Sequence, residues 1–113
     1  MRAEVLKGHL DGLLLAALEA GPNHGYAVRE SLREATGGAF DLPTGTIYPA
    51  LHRLERDGLI SGEWTTPDGG RRRRTYRLTA RGRHALSEER GGWTTFAAAV
   101  STVLGAQPWP NTT

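Results

Sequence analysis

The chain has no cysteine in its 113 residues. Disulfide frameworks, thiolate metal sites and cysteine nucleophiles are therefore excluded. No apolar run approaches the roughly 18 residues needed to cross a bilayer. Met1 to Lys7 carries charge but neither a long apolar stretch nor a small-residue cleavage site, so it does not read as a secretory signal. The expected setting is the cytoplasm. Two local absences are sharper. Residues 71–83 hold seven arginines and no acid, and residues 91–113 hold no charged side chain at all.

What is present is globular: 38% hydrophobic and 23% charged residues, in a length that suits one domain. A core of this size is small, so a helix lying outside it needs a partner. The net charge of +2 conceals a partition. Residues 1–43 carry four basic and six acidic side chains, whereas residues 44–90 carry ten arginines and six acids. A mildly acidic front, a basic middle and an apolar back point to different partners.

Periodicity divides the chain. Leu6, Leu10, Leu13, Leu14, Ala17 and Leu18 recur at helical spacing and predict a helix over about 6–20, stopped by Gly21-Pro22-Asn23. A second helix is expected over about 24–36, with Tyr26, Val28 and Leu32 inward, ending at Gly37-Gly38. Phe40-Asp41-Leu42 is extended ahead of Pro43. A third helix follows over about 44–56, with Thr44 or Thr46 as its cap and Ile47, Leu51 and Leu54 inward. Its other side carries Thr46, Tyr48, Pro49, His52 and Arg53. The period then drops to two. Residues 59–66 and 71–79 read as a hairpin around Pro67-Asp68-Gly69-Gly70, with Trp64 in the hairpin core. Thr79 caps a last helix over about 80–104, whose Leu86, Trp93, Phe96, Val100 and Val103 form a coiled-coil-like seam. Gly91-Gly92 predicts a kink there. The tail 106–113, with Trp109, reads as loose.

The order helix, helix, helix, hairpin, helix is the winged helix-turn-helix plan (α-α-α-β-β-α), mainly α with a small β-hairpin. It suits duplex DNA: the third helix fits the major groove and the arginine-bearing hairpin reaches the flanking backbone. Arg71, Arg72, Arg73 and Arg74 repel one another, and no acid lies within 71–83 to offset them. Strand alternation would send two to each face, so Arg72 and Arg74, or Arg71 and Arg73, track phosphates. Thr44, Thr46 and Tyr48 offer hydroxyls to phosphates or base edges, with Tyr48 exposed. His52 and Arg53 lie one turn on, and Arg53 has Glu55, Asp57 or an acid on the second helix as alternative partners. Tyr26 is either core or a phosphate contact. His9, His24, His52 and His84 fall on four different elements, which argues against a metal site. No nucleophile elbow or glycine-rich phosphate cradle is present, so neither an enzyme nor a cofactor is expected.

Four blocks then resemble the PadR-like transcriptional regulators: His24-Gly25-Tyr26, Thr44 to Leu51, Arg53 to Ile60, and Gly69 to Thr79 with Gly82 after it. The resemblance covers about residues 9–86. It implies a homodimeric bacterial repressor paired through its last helix, in a compact subgroup with one such helix. Some members of that subgroup bind flat aromatic drugs between protomers through a tryptophan on this helix, and Trp93 stands at that position. This sequence departs there: Gly91-Gly92 precedes Trp93 and no acid follows it.

The expectation is therefore a DNA-binding repressor at the bacterial nucleoid, with a palindromic operator. Residues 1–79 form the reading domain, 80–105 the pairing helix and 106–113 a flexible tail. Trp93, Phe96, Val100 and Val103 make the dimer seam, where a planar aromatic effector could also lodge. Two other classes stay open: a winged-helix protein–protein adaptor, and a ligand-binding dimer with weak DNA affinity.

Overall fold

A computed structural model describes residues 8–105. The expected helix start at Leu6 and the tail 106–113 lie outside the described residues. Helix α1 spans Leu10–Ala17 and buries Leu14 and Leu15. It stops short of Ala20 because the backbone tightens: the N–H groups of Leu18, Glu19 and Gly21 each reach back three residues rather than four.

A two-residue strand, β1 (Asn23–His24), follows. Helix α2 spans Gly25–Ala35, with Val28 and Leu32 buried. Tyr26 is not on its inner side as expected: it is 48% exposed. Helix α3 spans Thr44–Arg56 and buries Ile47, Leu51 and Leu54 at the predicted spacing. Neither threonine caps it. Pro43 takes the cap position, and its carbonyl accepts from Thr46 N (2.9 Å) and Ile47 N (3.1 Å).

The wing is formed by β2 (Ile60–Thr65) and β3 (Arg73–Leu78), antiparallel, with Ile60 opposite Leu78 and Trp64 opposite Arg74. A turn of 3₁₀ helix, Pro67–Gly69, closes the tip, with Asp68 in the left-handed region at φ 58°. Arg71 and Arg72 fall outside the strand, so facial alternation applies only to Arg73 and Arg74. The sheet has three strands rather than two, in the order β1-β3-β2, because Asn23 and His24 pair with Tyr76 and Thr75.

Helix α4 spans Ala80–Leu104. Thr79 caps it as expected, its hydroxyl oxygen accepting from Gly82 N at 3.0 Å. The helix runs unbroken through Gly91-Gly92, contrary to the expected kink; the backbone ladder holds without side chains there. Only Gly82 and Leu86 of α4 are buried. The helix packs on α1 through its N-terminal part; at the two ends of α1, Arg90 forks onto Glu19 and Trp93 meets His9 edge-on at 5.2 Å. The protein is accordingly long, 51 × 28 × 27 Å. A single core cluster, from Leu14 on α1 to Leu86 on α4, joins all four helices to the wing's root at Ile60, Tyr76 and Leu78.

Candidate nucleic-acid interface

Because Ile47, Leu51 and Leu54 turn α3 inward, its polar side is left outside. Thr44, Tyr48 and His52 are exposed and Thr46 is half-buried. An open groove of about 670 Å³ runs along this side, lined by Thr46, Pro49, His52, Arg53 and Arg56, with Leu10 at its edge. Tyr48 is 37% exposed, its ring resting on the start of α2. That approach requires Gly25: a Cβ there would run into the Tyr48 ring.

The next residue back, His24, connects this region to the wing. Its Nδ1 accepts from Ala27 N at 3.3 Å, which caps α2, and Arg73 Nη1 lies 3.4 Å from the same nitrogen. Partial burial, and then the charge of Arg73, hold the His24 imidazole below its ordinary pKa. The neutral ring, with an unprotonated Nδ1, is the form that caps the helix. The outer end of β3 at Arg73, the α2 start and the first turns of α3 are thus contiguous.

The arginines divide by partner. Arg53 does not pair with Glu55, Asp57 or an acid on α2. Both its terminal nitrogens bond Asp11 on α1, each at 2.8 Å, and this hydrogen bonding raises its pKa further. Arg74 is not unopposed either. It forms an ion pair with Glu55 on α3, so the run of four arginines is offset by an acid from another element. Arg71 and Arg72 are exposed at the end of the tip, and Arg73 is half-buried beside His24. The Arg72/Arg74 pair is therefore split, since Glu55 engages Arg74, whereas no carboxylate among the described residues pairs with Arg71 or Arg73. Tyr26 stands exposed at the α2 start, with the Arg29 guanidinium 5.9 Å from its ring centre. Arg29 itself is held by the Leu42 carbonyl (2.6 Å), Glu30 and Asp41.

Trp64 is not hairpin core. It is 56% exposed because it lies at the outer end of β2, beyond the buried Ile60. The sequence reading puts Trp64 in the core, offers Glu55 to Arg53 rather than to Arg74, and does not single out Asp11. Trp64 and Arg74 stand equally far from Gly69, and that symmetry about the turn was the available signal.

The α4 seam lies apart from this strip. Trp93 and Phe96 are 54% and 55% exposed and their rings sit 5.9 Å apart, with Val103 and Leu104 bare further along. A groove of about 250 Å³ runs beside Trp93, between α1 and α4, lined also by His9, Leu13, Ala16 and Leu86. Among the described residues, no three His, Asp or Glu side chains converge as a metal site requires. Nor is any described helix long and apolar enough to cross a membrane.

Residues 14–88 match the transcriptional regulator PadR-like family. A transcriptional regulator of Mycobacterium tuberculosis is 44% identical over 75 residues, which cover 66% of each chain. Among solved structures, a PadR-like transcriptional regulator from Bacillus cereus superposes with a TM-score of 0.80 at 27% identity, covering 93% of this chain and all of that one. Bacillus subtilis PadR, solved in complex with operator DNA, superposes at 0.64 with 25% identity; 93% of this chain matches about half (52%) of that one. The chain belongs to the PadR-like family of transcriptional regulators.

Proposed function

We propose that this protein is a homodimeric repressor that reads duplex DNA with α3 and grips the backbone with its wing. The observation that carries this reading is the continuous strip from Arg71 and Arg72, through Arg73 and His24, to Tyr48, Thr44 and His52. Its hydroxyl, imidazole and guanidinium groups are those that contact phosphates and base edges. The operator complex of the B. subtilis relative supports the same use of the fold. Thr46 and His52 face base edges, Tyr26, Thr44 and Tyr48 position the backbone, and Arg71, Arg72 and Arg73 neutralise phosphates. Arg53 and Arg74 act chiefly within the protein, through Asp11 and Glu55.

Residues 80–105 serve as the pairing helix. Trp93, Phe96, Val100 and Val103 bring an apolar stripe to a second copy, since a helix this exposed gains little from its own chain. Two-fold pairing implies a palindromic operator with half-sites a helical turn or a multiple apart. A planar aromatic effector at Trp93 would favour one spacing of the reading heads and release DNA by that difference in affinity. Such a repressor works in the bacterial cytoplasm, at the nucleoid.

The test is a titration of duplex DNA carrying the inverted repeat nearest the coding sequence, across a range of salt. The log–log slope is expected to be steep, about 0.9 per neutralised phosphate, and to flatten by about that amount for each of Arg71→Ala and Arg72→Ala. A slope that neither variant changes removes the wing from the interface.

A further inference from the structure

The wing carries an exposed tryptophan that the core does not need. Trp64 is opposite Arg74 in the β2–β3 register. Two guanidinium groups sit over its ring: Arg72 at 4.5 Å from the centre and Arg74 at 5.5 Å. Two cations on one indole oppose each other unless one is neutralised. Glu55 of α3 does this for Arg74. The passage between them is kept open by Gly62, where a Cβ would come within 2.8 Å of Arg74 Nε and 3.1 Å of a Glu55 carboxylate oxygen. The order outward from the body is therefore Glu55, Arg74, Trp64, Arg72. Arg72 is exposed and no carboxylate among the described residues pairs with it.

We infer that Trp64 is a positioning residue of the wing: its ring holds Arg72 ready for a DNA phosphate, while Arg74 and Glu55 fasten that platform to the reading helix. The inference deepens the DNA-binding reading above and rests on it. An arginine at a loop end loses rotamer freedom when it contacts a phosphate, and stacking on a rigid ring bears that loss before DNA arrives. The platform also fixes the wing cation at a set distance from α3, so backbone grip and base reading occur in one register.

The experiment uses the full chain with Trp64→Leu, Trp64→Phe, Arg72→Ala and the Trp64→Leu/Arg72→Ala double variant. Without DNA, the Arg72 δ-methylene proton resonances are expected upfield from ring current. They should return to ordinary positions in Trp64→Leu and stay partly shifted in Trp64→Phe. With operator duplex, Trp64→Leu should weaken binding two- to fivefold, and Trp64→Phe should restore most of it. Arg72→Ala should cost less than half as much in the Trp64→Leu background as in the parent chain. Melting curves check that Trp64→Leu folds; if it does not, Trp64→Phe and the proton shifts decide. Fully additive losses, or Arg72 resonances indifferent to residue 64, overturn the inference while leaving DNA binding intact. A parent chain that ignores duplex DNA overturns the functional reading and the role of Arg72 together.

Discussion

Arg53 on α3 grips Asp11 on α1 with two 2.8 Å bonds, across 42 positions of sequence. The pair ties α3 to α1, the helix that also packs on α4. Both side chains are about 40% exposed, so the pair contributes on the order of 0.5 kcal/mol to stability. Its larger effect is on charge, because it withholds a cation from the groove beside His52. Asp11→Asn is expected to leave the melting temperature within a few degrees, tighten duplex binding, and steepen the salt slope by up to about 0.9. Titrations at several salt concentrations check this. An unchanged slope would place Arg53 out of reach of phosphate.

Gly82 leaves no room for a side chain. A Cβ there would overlap the Leu59 carbonyl oxygen, which also accepts from Thr79 N at 3.2 Å and from the Thr79 hydroxyl at 3.1 Å. Gly82→Ala must push α4 away from the wing's root. The expected cost is about 1–3 kcal/mol, read as a fall in the midpoint of urea unfolding at constant m-value. A wild-type midpoint would mean that the α4 start shifts freely.

His24 gives the fold a pH signature. Its pKa is lowered in the folded chain by partial burial and by Arg73, from an unfolded value of about 6.5. Below 6.5 the unfolded chain binds the proton first, so stability is full above that pH and declines as pH falls toward the lowered folded value. Glu19 and Glu30, whose pKa values are also lowered by arginine partners, lose their contribution only in more acidic solution. His24→Asn keeps a capping acceptor but does not titrate, so the decline between pH 7 and 5.5 should be absent in it. Thermal melts across that range compare the two chains. Equal slopes would show that the histidine carries no such linkage.

The seam on α4 predicts self-association. Phe96→Asp puts a charge into the apolar stripe that begins at Trp93. Sedimentation should show a dimer for the parent chain and a monomer for the variant, with specific DNA affinity falling at least tenfold. A planar aromatic ligand should quench tryptophan emission in the parent chain and lose affinity in Trp93→Ala. Ligand affinity retained by that variant would move the effector elsewhere.

Much of this architecture was legible because its signals are local. Ile47, Leu51 and Leu54 mark the inner face of α3 by spacing alone, and the Thr79 hydroxyl caps α4 in the position expected from its sequence neighbours. The parts that were not legible depend on elements meeting in space. β1 has two residues, too few to show a period, and forms only because β3 passes beside it. The partners of Arg53 and Arg74 lie on other elements, so sequence neighbours offer Arg53 the wrong acids and leave Arg74 unopposed. Trp64 reads as core from its residue type, but the hairpin extends past the core before reaching it. Gly91-Gly92 predicts a break from propensity, a cost of about 1 kcal/mol per glycine that the rest of a 25-residue helix absorbs.

That uninterrupted α4 sets a scale. Twenty-five residues at 1.5 Å each make a rod of about 37 Å, rooted at Gly82 and bare at its far end. A swing of about 5° at the root carries the tip through about 3 Å, close to the rise of one base pair along the duplex axis. Were two such rods joined, a slight rocking at the hub would become a whole-step mismatch between the grooves their heads must enter together.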